Sequence, residues 1–177
     1  MNRRQFVKAG VIGGAALAAG GGWIAWRDHA IHGAGNARIA QAALQDRIDR
    51  IVGAIAPVVL AGSFPADAAS HAIAIERVTT DVGRIVFSFT PPVQNELREL
   101  FGLLDIGIAR RLLTGVSHEW QEAGADEIGA FLDRWRHSRI AMLQSGYHAL
   151  HDLIFGAWYA SDSTWDEIGY AGPPNIL

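Results

Sequence analysis

"DEIGAFLDRWRHSRIAMLQSGYHALHDLIFGAWYA", residues 126–160, is the longest stretch of the chain with apolar side chains at helical spacing. Recurrence at three- and four-residue intervals is typical of an amphipathic helix with one buried face. Acidic residues at positions 126 and 127 favour a helix start there, because the helix dipole attracts negative charge. We therefore predict one long helix over Asp126–Ala160, with this buried stripe: Ile128, Phe131, Leu132, Trp135, Ile140, Leu143, Leu150, Leu153, Ile154 and Trp158.

Two glycines, Gly146 and Gly156, interrupt that helix. A glycine in a helix interior costs about 1 kcal/mol relative to alanine. We therefore expect another backbone to pack closely at these positions. A break of the helix near Gly146 is the competing prediction.

Four further segments are predicted to be helical from their apolar spacing and their ends. Thr90 and Pro91 suit the start of the third segment. Gly115 suits a left-handed end of the fourth, and Pro57 is expected to kink or shorten the first. The run "IVFSF" at 85–89 is also compatible with a strand, but no partner strand is visible, so we predict helix there. The segments are Ala37–Ala61, Asp67–Phe89, Thr90–Asp105 and Ile106–Gly115.

Length and composition are typical of a single globular domain. The chain has 177 residues, half of them hydrophobic, and no internal repeat is visible. We predict an all-α fold, a small helical domain of four to six helices behind an N-terminal export signal. Residues 1–35 are the predicted signal or anchor segment. Residues 36–177 are the predicted helical domain with an extended aromatic and proline-containing C-terminal tail.

The N-terminus resembles a twin-arginine export signal. The charged start "NRRQFVK", residues 2–8, precedes an uncharged, Gly/Ala-rich run at 9–26. The twin-arginine route carries proteins that fold before export, which predicts a periplasmic location. An ordinary secretory signal and a retained membrane anchor stay open, and an anchor would bring membrane contact through this segment. The signal residues are Arg3, Arg4, Phe6 and Lys8.

Composition excludes several classes of function. No cysteine is present, which excludes disulfides, thiolate catalysis, cysteine-ligated zinc, iron–sulfur clusters and c-type haem attachment. The formal net charge is −3 and no basic stripe is present, so nucleic-acid binding is not expected. Neither a carboxylate dyad, a serine elbow nor a phosphate-binding glycine loop is recognisable. We therefore predict no catalytic, cofactor-binding or metal-binding residue in this chain.

Histidines are the residues that come nearest to a metal pattern. His148 and His151 lie three positions apart on the predicted long helix, a spacing that can contribute two ligands. A structural site needs four ligands, and the His-x-x-x-His pattern with an intervening glutamate is absent. We expect exposed or packed helix histidines, and the same holds for His118 in the predicted loop Val116–Gly124.

Aromatic and proline residues crowd the C-terminal end of the chain. Tryptophan and tyrosine are favoured at interfaces because they combine an apolar body with one polar group. Prolines stiffen a segment and reduce the entropy lost on docking. One interpretation is that the tail folds back over the domain's own core; the other is that it lies in a groove on another protein. For the second interpretation, the partner-binding residues are Trp158, Tyr159, Trp165, Ile168, Tyr170, Pro173 and Pro174.

Taken together, these features resemble the gluconate 2-dehydrogenase subunit 3 family, small signal-bearing subunits of bacterial membrane-associated flavin dehydrogenases. The resemblance rests on "RRQFVK" at 3–8, "LRELFGLLD" at 97–105 and the ending "AWYASDSTWDEIGYAGPP" at 157–174. The lack of cysteine departs from some members of that family. The closing pattern of the family is matched by Trp165, Ile168, Gly169, Tyr170, Gly172 and Pro173.

The resemblance implies a non-catalytic small subunit of a periplasmic FAD-dependent sugar or alcohol dehydrogenase. The implied partner is a large FAD-containing oxidoreductase subunit of the glucose–methanol–choline type, and a cytochrome c subunit is a further candidate partner. The large subunit would hold the FAD, with no cofactor in this chain. The small subunit would escort the folded flavoprotein through the twin-arginine pathway and stabilise it.

Two other functions stay open at the level of sequence. One is a stand-alone periplasmic binding or structural protein, held at the membrane by an uncleaved anchor. The other is an enzyme in which His148, His151 and an acid hold a metal ion.

Overall fold

The computed structural model describes residues 34–160, with side chains from residue 38 onward. All regular secondary structure in this part of the chain is helical, which confirms the all-α prediction. The predicted signal residues at positions 3, 4, 6 and 8 lie outside it. Six helices follow one another: α1 (Ala34–Val59), α2 (Ala68–Ser88), α3 (Pro91–Asp105), α4 (Gly107–Thr114), α5 (Ala125–Arg136) and α6 (Ala141–Tyr159).

The chain divides into two compact units, residues 1–42 and residues 43–177. The described part of the first unit is the N-terminal end of α1. The remainder of α1 and the other five helices belong to the second unit, where their apolar faces form one core. Among the described helices, none combines the length and the apolarity that a bilayer crossing requires.

The first three helices follow their sequence signals closely. Helix α1 runs through Pro57 and ends two residues later. Asp67 caps α2 by accepting a hydrogen bond from the Ser70 amide at 2.9 Å. The run at 85–89 is the end of this helix and not a strand. Thr90 stands at the N-cap position of α3, as predicted, but its hydroxyl makes no capping hydrogen bond.

Helix α4 depends on its neighbours, because an isolated helix of eight residues is not stable in water. Side chains from α5 satisfy carbonyls at its C-terminal end: Arg134 donates to Thr114 O and the Trp135 indole donates to Leu113 O, both at 2.9 Å. Gly115 closes the helix in the left-handed region with φ 73°, which confirms its predicted role. Polar contacts with α5 therefore hold the C-terminal end of α4 in place.

The prediction of one helix over Asp126–Ala160 is wrong, since the helix is interrupted at residues 137–140. Helix α5 ends at Arg136, and the Ser138 hydroxyl accepts a hydrogen bond from the Ile140 amide at 3.1 Å, just before α6 begins. The competing prediction, a break near Gly146, is also wrong, because Gly146 lies inside α6. The break lets α5 and α6 pack against each other.

Gly146 marks the closest approach between α5 and α6. A Cβ atom at this position would lie 2.5 Å from Cζ3 of Trp135, so the close neighbour is an indole ring and not another backbone as predicted. Gly156 differs, because no atom of the described residues lies within 4 Å of its would-be Cβ. Close packing therefore explains one of the two glycines.

The two glycines predict opposite effects of the same substitution. Gly146→Ala gains helix propensity but forces a methyl group into a fixed ring, and overpacking of this kind costs about 1–3 kcal/mol. Gly156→Ala gains about 1 kcal/mol of propensity and meets no such ring. Chemical denaturation monitored by circular dichroism should show the first variant destabilised and the second stabilised. Equal shifts in the two variants would contradict the close approach at Gly146.

Candidate functional site

A continuous row of four aromatic rings runs along one face of α6. Tyr147, His151, Phe155 and Tyr159 are spaced four residues apart, a spacing that places side chains above one another on a helix. Successive ring centroids lie 5.6, 4.3 and 5.6 Å apart, and the central pair is stacked with an interplanar angle of 19°. All four side chains are half-buried. We call this row the aromatic ladder.

A shallow pocket of about 270 Å³ opens beside the N-terminal end of the aromatic ladder. Tyr147 and His151 contribute one part of its lining. The exposed charged residues Asp133 and Arg136 of α5 contribute another. The remaining lining is Val58, Val59, Gly129 and Leu132. The ladder thus borders a depression with apolar walls and charges of both signs.

Three rings of the aromatic ladder, Tyr147, Phe155 and Tyr159, pack with one side against the hydrophobic core. Aromatic residues are enriched at interfaces, and charged residues are depleted at their centres. One side of a half-buried ring packs against its own domain, so the side chain has little freedom left to lose. Burial of its exposed side by a partner therefore costs little side-chain entropy. The aromatic ladder is therefore the candidate docking surface among the described residues.

Two of the predicted partner-binding residues lie within the described chain, and the structure treats them differently. Trp158 is 2% exposed and belongs to the hydrophobic core. Its ring stacks on Phe64 at 5.2 Å, and the Arg77 guanidinium lies 4.9 Å from its centroid. Tyr159 is half-buried and forms the last ring of the aromatic ladder. Of these two side chains, Trp158 is buried and Tyr159 keeps part of its surface exposed.

The other predicted partner-binding residues belong to the tail that follows α6. They lie outside the described residues: Trp165, Ile168, Tyr170, Pro173 and Pro174.

The histidines that were considered as metal ligands have other neighbours. His151 stacks on Phe155, and its Nδ1 lies 3.2 Å from Asp152 Oδ1. His148 lies edge-on to Tyr147, with ring centroids 5.4 Å apart. Within residues 38–160 no three His, Asp or Glu side chains come together in a way that could hold a metal ion. The pair therefore takes part in ring contacts along α6.

The loop between α4 and α5, residues 115–124, is fixed by side-chain hydrogen bonds, by the ion pair between Arg110 and Glu119, and by the buried Trp120. Arg110 is 1% exposed and donates two hydrogen bonds, at 2.9 and 2.8 Å, to the carboxylate of Glu119. Glu127 accepts from the Ser117 amide at 2.6 Å and lies 3.0 Å from His118 Nδ1. The hydrogen bonds from Arg110 lower the pKa of Glu119, and the Ser117 amide followed by His118 lowers the pKa of Glu127.

These two carboxylates predict a loss of stability in acid. Their folded-state pKa values lie below the ordinary value of 4.5, so their stabilisation is present above that pH and is lost as pH falls through the lowered values. We expect the thermal midpoint to fall between about pH 5 and pH 3, and to fall less in Glu127→Gln. Glu122→Gln, in the same loop, is the control. An acid response in Glu127→Gln equal to that of the unaltered chain would contradict this role.

Helix α4 presents a second exposed apolar face. Ile108 and Leu112 lie one turn apart and are 75% and 81% exposed, while Arg110 and Thr114 on the other side are buried. The usual orientation of an amphipathic helix is therefore reversed. In this helix Ile108 and Leu112 thus face solvent, while buried Arg110 anchors the helix through its hydrogen bonds to Glu119.

Two features of the site were missed at the level of sequence. The aromatic ladder could have been found from its four-residue spacing. His151 was interpreted as an exposed or packed helix histidine, with a metal site as the alternative, and Tyr159 as a partner-binding residue, while Tyr147 and Phe155 were assigned no role. Trp120 is 1% exposed and donates to Leu104 O at 2.9 Å, although it lies in a loop with no periodic signal. The four-residue spacing was therefore a usable signal for the ladder, whereas no local sequence signal indicated that Trp120 is buried.

Comparisons of the chain with protein-family models, with curated proteins and with solved structures found no match.

Proposed function

We propose that this chain is the non-catalytic small subunit of a periplasmic FAD-dependent sugar or alcohol dehydrogenase, resembling gluconate 2-dehydrogenase subunit 3. It escorts the folded large subunit, an FAD-containing protein of the glucose–methanol–choline type, through the twin-arginine pathway and stabilises it. The aromatic ladder is the observation that carries the proposal, because it supplies a rigid apolar strip on a domain that has its own complete core.

The position of the aromatic ladder supports a joint docking surface with the tail. Tyr159 is the last ring of the ladder, and it precedes the aromatic tail residues Trp165 and Tyr170 by six and eleven positions. Rings on α6 and rings on the tail are therefore neighbours along the chain. An obligate interface buries about 2,000 Å² or more, so several such elements would have to contribute.

The signal-like N-terminus supports the escort role. The twin-arginine route exports proteins that have already folded. A small domain without a cofactor gains little from this route unless it is exported together with a second protein that must fold first. Insertion of FAD in the cytoplasm creates that requirement for a flavoprotein. The FAD site and the substrate site are assigned to the large subunit. A cytochrome c subunit is a candidate third component.

Export of the flavoprotein tests the proposal. The flavoprotein recovered with the tagged chain from its host is identified by mass spectrometry and then followed in a strain that lacks this chain. We expect most of it to stay in the cytoplasm. A variant with Arg3→Lys and Arg4→Lys keeps the helical domain and should hold both proteins there as a complex.

An active, soluble flavoprotein in the periplasm of the deletion strain would overturn the escort role. A tagged chain that is recovered alone, membrane-bound and without flavin would instead favour a stand-alone anchored binding or structural protein.

A further inference from the structure

We propose that the aromatic ladder and its pocket form a binding site for an extended, aromatic and proline-containing segment, and that the chain's own tail, residues 164–174, occupies it before the partner arrives. This inference rests on the proposed function, since it assigns a ligand to the same docking surface in the free subunit. The tail would leave the ladder when the flavoprotein binds.

Chain connectivity supports the tail as the occupant. The aromatic ladder ends at Tyr159, the last residue of α6, and the tail follows after a linker of four residues, 160–163. From Tyr147 to Tyr159 the ladder covers about 18 Å at 1.5 Å per residue. Residues 161–177 can span about 55 Å when extended. A reversal at Ser161–Ser163 is therefore enough to bring the tail back along the ladder as far as the pocket.

The chemistry of the two surfaces is complementary. Proline-containing extended segments dock on aromatic-lined grooves, because such segments lose little entropy on binding. The tail carries Trp165, Tyr170 and the pair Pro173–Pro174, and the groove offers ring faces and apolar pocket walls. The pocket is bordered by one cation, Arg136, and one anion, Asp133, so the match with the tail rests on the aromatic and apolar surfaces and not on charge.

Tethering favours the chain's own tail over the tail of a second copy. A segment joined by a short linker has an effective concentration on the order of millimolar, far above the concentration of free protein in the cell. Intramolecular binding therefore dominates even when the affinity of the tail for the ladder is modest. A partner with a larger interface can still displace it, because such a partner adds contacts that the tail lacks.

Limited proteolysis of the full chain, purified without its partner, tests this binding. Chymotrypsin cleaves after Trp165 and Tyr170, and its rate follows the population in which the tail is released. Phe155→Ser removes a central ring of the ladder, and we expect tail cleavage to be about tenfold faster or more. Ile73→Ser, a substitution of an exposed apolar residue on α2, should leave the rate unchanged.

A second measurement leaves the helices unaltered, in case Phe155→Ser disturbs the fold. Trp165→Ala combined with Tyr170→Ala removes the rings of the tail. Nitration of Tyr147 and Tyr159, mapped by mass spectrometry, should then rise severalfold. Unchanged nitration, or unchanged cleavage in a folded Phe155→Ser variant, would overturn the proposal.

The dependence of the cleavage rate on protein concentration shows whether the tail on the ladder belongs to the same chain or to a second copy. Cleavage that slows as concentration rises would assign the occupant to a second copy and overturn the intramolecular assignment. Both measurements are made without the flavoprotein, so they are independent of the export experiment. A protected tail, together with an active flavoprotein in the periplasm of the deletion strain, would refute the proposed function alone. An unprotected tail, together with a flavoprotein that stays in the cytoplasm of the deletion strain, would refute the tail site alone.

Discussion

Trp135→Ala is expected to lower the free energy of unfolding by about 3–5 kcal/mol, the usual loss when a buried aromatic side chain is truncated. Trp135 is nearly fully buried and joins three helices. Its ring packs edge-on against Phe131 with centroids 4.9 Å apart, and Gly146 of α6 lies against it. Its indole nitrogen donates to Leu113 O at the end of α4. Truncation leaves a cavity and an unpaired carbonyl together.

Trp135→Phe separates these two effects. Phenylalanine restores most of the ring packing but leaves Leu113 O without its donor, which costs about 1–3 kcal/mol when the carbonyl stays buried. Chemical denaturation should therefore rank the variants as alanine, phenylalanine and tryptophan in increasing stability. A loss below about 1 kcal/mol for Trp135→Ala would contradict the role assigned to this ring, because that is the average for unselected substitutions.

Substitution of the aromatic ladder is expected to have the largest effect on partner binding. A ring at the centre of an interface contributes about 2 kcal/mol or more, which corresponds to roughly thirtyfold in Kd. His151→Ala combined with Phe155→Ala should therefore weaken the complex with the flavoprotein by at least about thirtyfold. Titration of the purified flavoprotein, followed by calorimetry, measures this change directly.

Leu112→Ser is the matched comparison for the ladder variant. It removes an apolar side chain from the reversed face of α4, which lies outside the aromatic ladder, and its side chain makes little contact with the core. We expect near-normal binding in this variant. Loss of binding in Leu112→Ser together with full binding in the ladder variant would place the docking surface on α4 instead.

The sequence predicted the helical class well because local signals and tertiary packing agree over the first four helices. Pro91 lies in the first turn of α3 and Gly115 adopts the left-handed conformation that its position required. Each of these signals acts within one or two turns, so it can be recognised without knowing what packs against the helix. For the same reason α1–α4 begin and end within three residues of the predicted bounds.

The division of the last segment into α5 and α6 could not be predicted in the same way. Ile140 continues the apolar spacing across the break, yet it is 57% exposed and so does not belong to the buried stripe. The break brings Trp135 against Gly146, a contact between residues eleven positions apart that no local signal reveals. Periodicity cannot distinguish a continuous helix from two helices that fold back on each other.

The candidate site, like the fold, was predicted only where a local sequence signal was enough. Tyr159 was predicted from its place in the aromatic C-terminal end, and it lies in the aromatic ladder. Trp158 was predicted with it but turns toward the core, because adjacent residues on a helix point in directions about 100° apart. Arg110 and Trp120 were not predicted, since their burial depends on contacts with Glu119 and with a carbonyl of α3.

Purification of the tagged full chain from its own host distinguishes a flavoprotein subunit from a stand-alone protein. We expect the chain to co-purify with a large flavoprotein that shows flavin absorbance, and the variant with His151→Ala and Phe155→Ala to retain much less of it. A colourless chain that is recovered alone, from cells in which the flavoprotein is present and active, would contradict the proposed subunit role.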